Sequence, residues 1–271
     1  METRTDRVLT IAIVGCGNVA THLAKALDRV PWITICAISN RSLQGACRLA
    51  DELSGAPRCI ALEELADLSP DVVVVSVADN AIAPIAAKIG HISGDPLVLH
   101  TSGTIPKEVL APMSARKGII YPLQTFSRDA CVDISSVPFF NEADSDADLS
   151  LADSIASAIS RSVHHADESH RRILHIAGVF SCNFPNVLLE CTQRILAEAG
   201  YGLEVVEPLV RATVDKAFSI GPHAAQTGPA RRGDTQVIER QQAALPPDLA
   251  GIYKILTQTI LKSHHNEQNQ L

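Results

Sequence analysis

The chain has 271 residues, 46% hydrophobic and 20% charged, with 23 basic against 30 acidic side chains and a net charge of −7. That composition suits a globular protein with room for two domains, and the negative balance offers no electrostatic footprint for nucleic acid. The acid-bearing N-terminus lacks a signal peptide's apolar core, and the most apolar helical run, 173–182, is broken by His175 and falls short of a membrane span, so a cytoplasmic protein is expected.

Residues 11–20 run from a short apolar strand into Gly15-x-Gly17-x-x-Ala20, followed by a helical stretch to about residue 29. A strand that ends in this pattern and feeds a helix is the dinucleotide-binding fingerprint. Gly15 permits the tight turn, Gly17 lets the backbone approach a pyrophosphate, and Ala20 keeps the helix close to the sheet. The helix then aims its unpaired N–H groups at the phosphates. Cys16, Asn18 and Val19 complete the loop.

The βα alternation continues. Residues 33–38 read as a strand and 42–53 as a helix with Ser42 as N-cap. The β-branched run 71–77 suits a parallel strand buried on both faces. Residues 97–100, 117–121 and 137–141 are further strands, with helical stretches at 82–89 and 106–113. These elements predict an α/β fold, a Rossmann-type doubly wound parallel sheet over residues 1–165. Where NAD-binding chains place an acid after the second strand, this one has Ser39-Asn40-Arg41-Ser42. Arg41 suits a 2′-phosphate and its neighbours offer neutral hydrogen bonds, which favours NADP. Val77, Ala78 and Asp79, at the end of the third run, complete the expected cofactor set.

From about residue 146 the pattern turns helical. One helix is expected at 146–160. A second, capped by Asp167, runs to residue 199 and is closed by Gly200, with Pro185 kinking it. Further helices follow at 208–218, 235–245 and 248–263. Residues 166–263 thus form an all-helical domain with one long kinked helix, and 264–271 a polar tail in which the histidine pair is solvated. The seven cysteines show no Cys-x-x-Cys spacing and read as reduced, mostly buried thiols. His164-His165 have no carboxylate or cysteine at metal-ligand spacing, so no metal is expected.

This layout is that of the β-hydroxyacid dehydrogenase, ketopantoate reductase and pyrroline-carboxylate reductase superfamily. Gly15-x-Gly-Asn-Val-Ala20 with His22-Leu23, His100-Thr-Ser-Gly103, Tyr121-Pro-Leu-Gln-Thr-Phe-Ser127, Leu174-His175, Cys182-Asn-Phe184 and Gln226-Thr-Gly-Pro229 narrow it further. Together they resemble one Rossmann-like family whose C-terminal half is a domain of unknown function and whose members are provisionally named NADP oxidoreductases. The resemblance runs from the first strand to about residue 245. It implies a cofactor domain and a helical dimerising domain, and names no substrate. Pro185 departs from the helix-compatible residue expected there.

Hydride transfer belongs to a nicotinamide, and the protein must orient a substrate and manage one proton. Thr101 and Ser102, ending a strand, offer hydroxyls to a carbonyl or carboxylate, or else cap the next turn. Tyr121 and Gln124 come from the following strand end. His175, Val179, Cys182 and Asn186 share a helix face, with Asn183 beside it. Related dehydrogenases carry Lys and Asn four apart on this helix; here Val179 stands in the lysine's place, and His175 substitutes as proton donor. The catalytic candidates are therefore His175, Asn183 and Ser102, and the substrate-binding ones Thr101, Tyr121, Gln124 and Arg231. The function expected is NADP-dependent hydride transfer to or from a small carbonyl or imine. Hydride exchange with a deazaflavin-type coenzyme and a non-catalytic NADP sensor are the alternatives. The long helix is apolar on most sides, which predicts a homodimer through the helical domain.

Overall fold

A computed structural model describes residues 8–128 and 130–265. Strands β1 (Leu9–Val14), β2 (Ile33–Ser39), β3 (Arg58–Ile60), β4 (Val72–Val75), β5 (Leu97–His100), β6 (Lys117–Pro122), β7 (Phe139–Ala143) and β8 (Val163–His165) form one sheet. Its order is β3-β2-β1-β4-β5-β6-β7-β8, and the chain changes direction of growth between β1 and β4. Every pairing is parallel except β6 with β7, an antiparallel step within an otherwise doubly wound sheet. Helices α1 (Asn18–Leu27), α2 (Leu43–Ala50), α3 (Asp79–Ile89) and α4 (Asp146–Ser157) belong to the crossovers.

The alternation of side chains along the strands explains the two-sided core. Ile11, Ile13, Val72 and Val74 enter one buried cluster, while Ala12, Val14, Val73 and Val75 enter the other. The β-branched run is therefore buried on both faces, as its composition requires. Ser42 caps α2 by accepting from Gly45 N. The segment 106–113 forms only a 3-10 turn, Lys107–Leu110, rather than the expected helix.

The chain divides into two compact units between Asn183 and Phe184, later than the residue 165 suggested by the change in pattern. That division falls inside the long helix. Asp167 caps α5 (Glu168–Gly178) through His170 N at 2.9 Å; a π-helical turn, Val179–Asn183, follows, and then α6 (Phe184–Glu198). Pro185 has no N–H to donate to the carbonyl four residues back, and its ring crowds that carbonyl. The wide turn just before it relieves both conflicts. Gly200, at φ +75, ends the helix as foreseen.

The second unit holds α7 (Glu207–Ile220), α8 (Pro222–Ala225), α9 (Pro229–Arg232), α10 (Thr235–Ala243) and α11 (Pro247–His265). Two expectations are corrected here. His264 is not solvated: α11 carries it into a buried position, where it stacks on His223 at 4.1 Å. Residues 266–271 of the polar tail lie outside the described residues. Nor are all the thiols free: Cys47 and Cys59 are disulfide-bonded, and Cys131 is exposed. Sequence spacing concealed that pair because its partners meet only when β3 docks beside β2.

The helical run Glu168–Glu198 extends well beyond the 173–182 stretch. An 18-residue window reaches a mean hydropathy of 1.2 and is unburied, which by length and composition is enough to cross a membrane. Ile173, Ile176, Phe180, Phe184 and Val187 stand exposed along it.

Candidate active site

The carboxyl ends of β1 and β4 flank the point where the sheet order reverses, the place where open α/β sheets bind ligands. A cavity of about 460 Å³ opens there, walled by the glycine loop, the β4–α3 turn, Asn40, the end of β5 and the segment after β6. Gly15, at φ +110, has no room for a side chain, since a Cβ would lie 2.1 Å from the Ser76 carbonyl oxygen. Gly17 differs: a Cβ there would meet nothing within 4 Å and would project into open space. It precedes α1, whose first N–H groups have no intrahelical acceptor. An open cradle at Gly17 and a helix N-terminus are what a pyrophosphate needs, so the residues present fit a dinucleotide.

Most of the expected cofactor residues meet at this cavity: Gly15, Cys16, Gly17, Asn18, Val19, Asn40, Val77, Ala78 and Asp79 line it. Four do not. Ala20 is fully buried in the α1–sheet contact, and Ser39 is buried at the end of β2. Ser42 is occupied as the α2 cap, and Arg41 is exposed on the turn outside the lining. Burial pushes the Cys16 thiol up to about 11, with Arg128 and Arg48 pulling the other way, so it is inert as a nucleophile. Those two arginines, not singled out in the sequence, therefore stand near the glycine loop.

Thr101, Ser102 and Gln124 line the same cavity. Thr101 Oγ1 donates to Ser76 Oγ at 3.1 Å. The Ser102 hydroxyl accepts from Thr104 N at 3.1 Å and Ile105 N at 3.2 Å, so it caps the turn. Thr104 Oγ1 donates to Asp79 at 2.6 Å. Below them His100 Nδ1 accepts from Ser102 N at 3.1 Å, and burial pushes this imidazole down to about 4. It is a neutral brace for the strand end.

A second cavity, of about 530 Å³, is lined by Tyr121, Leu123, Gln124 and Thr125 together with His175, Gly178 and the π turn's Ser181, Cys182 and Asn183. Tyr121 Oη lies 3.3 Å from His175 Nδ1. The Tyr121 ring packs so closely on Gly103 that a Cβ there would stand 2.6 Å from Cζ. Burial, reinforced by the Asp79 charge, pushes the Tyr121 phenol up, so it holds its proton at neutral pH. Gln124 belongs to both cavities. The segment carrying it is tied to the cofactor helix: Asn18 Nδ2 donates to the Phe126 carbonyl at 2.8 Å, and His22 Nε2 lies 2.9 Å from the Ser127 carbonyl.

One turn before His175 sits Arg171, fully buried and paired with Glu142, which also takes Lys107 at 2.6 Å. This pair fixes α5 against β7. Arg171 was not foreseen because a lone arginine in a helix reads as surface, although its i, i+4 spacing from His175 put it on the same face. Arg231 lies on α9 in the second unit and is exposed. Among the described residues, no cluster of three or more His, Cys, Asp or Glu could hold a metal.

The geometry can be set beside known proteins. Residues 2–125 match the Rossmann-like domain family, and residues 137–260 match a domain of unknown function, DUF2520. A Bacteroides fragilis protein provisionally described as an NADP oxidoreductase is 33% identical, with 95% of this chain and 100% of that one aligned at a TM-score of 0.83. The NADP-bound pyrroline carboxylate reductase of Plasmodium falciparum shares the fold at 12% identity, with a TM-score of 0.56 over 96% of each chain. An L-aspartate dehydrogenase from Methanococcus maripaludis is 29% identical over 108 residues, which are 39% of this chain and 40% of that protein. The chain therefore spans less than half the length of that curated relative.

Proposed function

The chain belongs to the family in which a Rossmann-like domain is followed by DUF2520, and from that premise we propose that it is an NADP-dependent oxidoreductase. The observation that carries the reading is Gln124, shared by the dinucleotide-shaped cavity and the cavity of Tyr121 and His175. The described relatives add support: one is provisionally an NADP oxidoreductase and another holds NADP.

In this reading Gly15–Val19, Asn40 and residues 77–79 hold the dinucleotide, and Arg41, beyond the cavity wall, selects its 2′-phosphate. A nicotinamide held there would supply or accept the hydride. The chain's own residues orient a small carbonyl or imine and move one proton. Tyr121, protonated at neutral pH, and His175 form the donor pair, and Asn183 and Gln124 hold the substrate's polar atom. Thr101 shapes the floor, and Ser102, whose lone pairs are committed to the turn, keeps its O–H as the group it can offer a substrate.

The exposed apolar face of the long helix is assigned to a second copy of the chain. Phe180 is 67% exposed and Ile173 66%, which is costly for an isolated soluble molecule. Light scattering tests this: a dimer mass without detergent supports it, while a monomer, or a protein soluble only in detergent, refutes it.

The enzymatic reading is tested by screening carbonyl and imine compounds for NADPH oxidation, followed by His175→Ala on any substrate found. A loss of about 10²–10⁴ in turnover with NADPH affinity retained is expected. Full activity in the variant would remove His175 from the chemistry.

A further inference from the structure

Cys47, in the second half of α2, and Cys59, in the middle of β3, are joined by a disulfide across 12 positions. Both residues are half-buried. Neither lines a cavity described above, yet the two elements the bridge joins both adjoin the turn beside the nucleotide site. Through β3 it reaches the end of β2, by the pairings Ile38↔Cys59 and Ser39↔Ile60. The next residue, Asn40, walls the nucleotide cavity. Through α2 it reaches the same Asn40. A Cβ at Gly45 would lie 2.6 Å from Asn40 Nδ2, so the helix surface rests directly against that side chain. The turn 39–42, which carries Asn40 and Arg41, is thus clasped between two elements that the disulfide locks together.

We propose that Cys47 and Cys59 form a redox-modification site, whose oxidised form preorganises the turn 39–42 for a nucleotide and whose reduced form binds it more weakly. The inference rests on the nucleotide-binding reading above. The co-reactant is a dithiol. One of its thiolates attacks a bridge sulfur, forming a mixed disulfide and releasing the other cysteine as a thiolate, and its second thiol then resolves the intermediate. Two electrons and two protons pass to the protein, leaving two cysteine thiols and an oxidised dithiol. The other five cysteines, Cys16, Cys36, Cys131, Cys182 and Cys191, are free already.

The response is graded rather than all-or-none. Ala46, Leu49 and Ala50 keep α2 in the core without the bridge. Asp28 accepts from Ser54 N at 2.7 Å and Gly55 N at 3.0 Å, holding the following turn. Loss of preorganisation alone predicts a NADPH dissociation constant about three- to ten-fold higher on reduction.

The experiment is a fluorescence titration of the full chain with NADPH, after diamide and after dithiothreitol, with peptide mapping to identify the 47–59 bridge. Cys47→Ser/Cys59→Ser and Gly45→Ala are titrated beside it. The expected result is the three- to ten-fold difference in the parent chain and no redox response in the double variant. Gly45→Ala, by displacing Asn40, should bind weakly in both states. Should the double variant fail to fold, the parent titration still decides. Equal affinities in both states, or failure of the 47–59 peptide to form, overturn the proposal while nucleotide binding stands. Absence of NADPH binding in both states overturns the underlying reading too.

Discussion

Exchanging each loop glycine for alanine separates folding from binding. At Gly15 a side chain must adopt φ +110 and lie 2.1 Å from the Ser76 carbonyl oxygen. The backbone conformation costs about 1–3 kcal/mol and the overlap about as much again. Gly15→Ala should therefore lose roughly 2–6 kcal/mol, a fall in melting temperature of several degrees or more. Gly17 has an ordinary φ of −75 and open space where its Cβ would go. Gly17→Ala should leave stability within about 1 kcal/mol of the parent. Its methyl group would nevertheless occupy the approach of the pyrophosphate, raising the NADPH dissociation constant about ten-fold or more, or 1.4 kcal/mol. Thermal melts and fluorescence titration with NADPH on both variants read the two effects independently. A Gly17→Ala protein that binds NADPH like the parent would show that the cradle is not a pyrophosphate site. A Gly15→Ala protein as stable as the parent would refute the steric argument.

Three further outcomes follow from the same geometry. Arg41→Ala should remove a charge-assisted pair worth about 1.5–3 kcal/mol and so erase most of a preference for NADPH over NADH; calorimetry with both cofactors checks it, and an unchanged ratio contradicts it. His100 is held neutral, with its pKa lowered from 6.5 to about 4, so its contribution is full above pH 6.5 and is lost as pH falls towards 4. That loss approaches about 3 kcal/mol, and denaturant unfolding of parent and His100→Gln should show the variant's pH dependence flattened across this window; parallel profiles would count against it. Glu142→Gln leaves Arg171 buried with a weaker partner and should destabilise the first unit by about 2–4 kcal/mol, measured by urea unfolding, with parent-like stability as the contrary result.

The sequence was legible where a signal is repeated or long. The β-branched run of β4, the glycine loop and the caps Ser42 and Asp167 are local rules, and they act locally. Strands β3 and β8 escaped notice because three residues carry no periodicity. The reversed direction of β7 depends on which strand edge is free, which no local pattern records. Most of the cofactor-loop residues line one cavity, since one turn carries them. The Tyr121–His175 approach joins positions 54 apart in sequence and was visible only as two separate candidates. Ser102 shows how a hydroxyl at a strand end serves capping and binding equally well until its neighbours are known. Cys47–Cys59 and buried His264 were misread because both arise from tertiary docking. Pro185 was read as a kink, and the chain resolves it as a π turn that brings Ser181, Cys182 and Asn183 to one cavity wall.

The central claim, a nicotinamide dinucleotide site at the β1–β4 switch point, is tested most directly by calorimetric titration of the full chain with NADPH and NADH. The account predicts one NADPH bound per chain, about ten-fold or more tighter than NADH. No saturable binding of either nucleotide would contradict it.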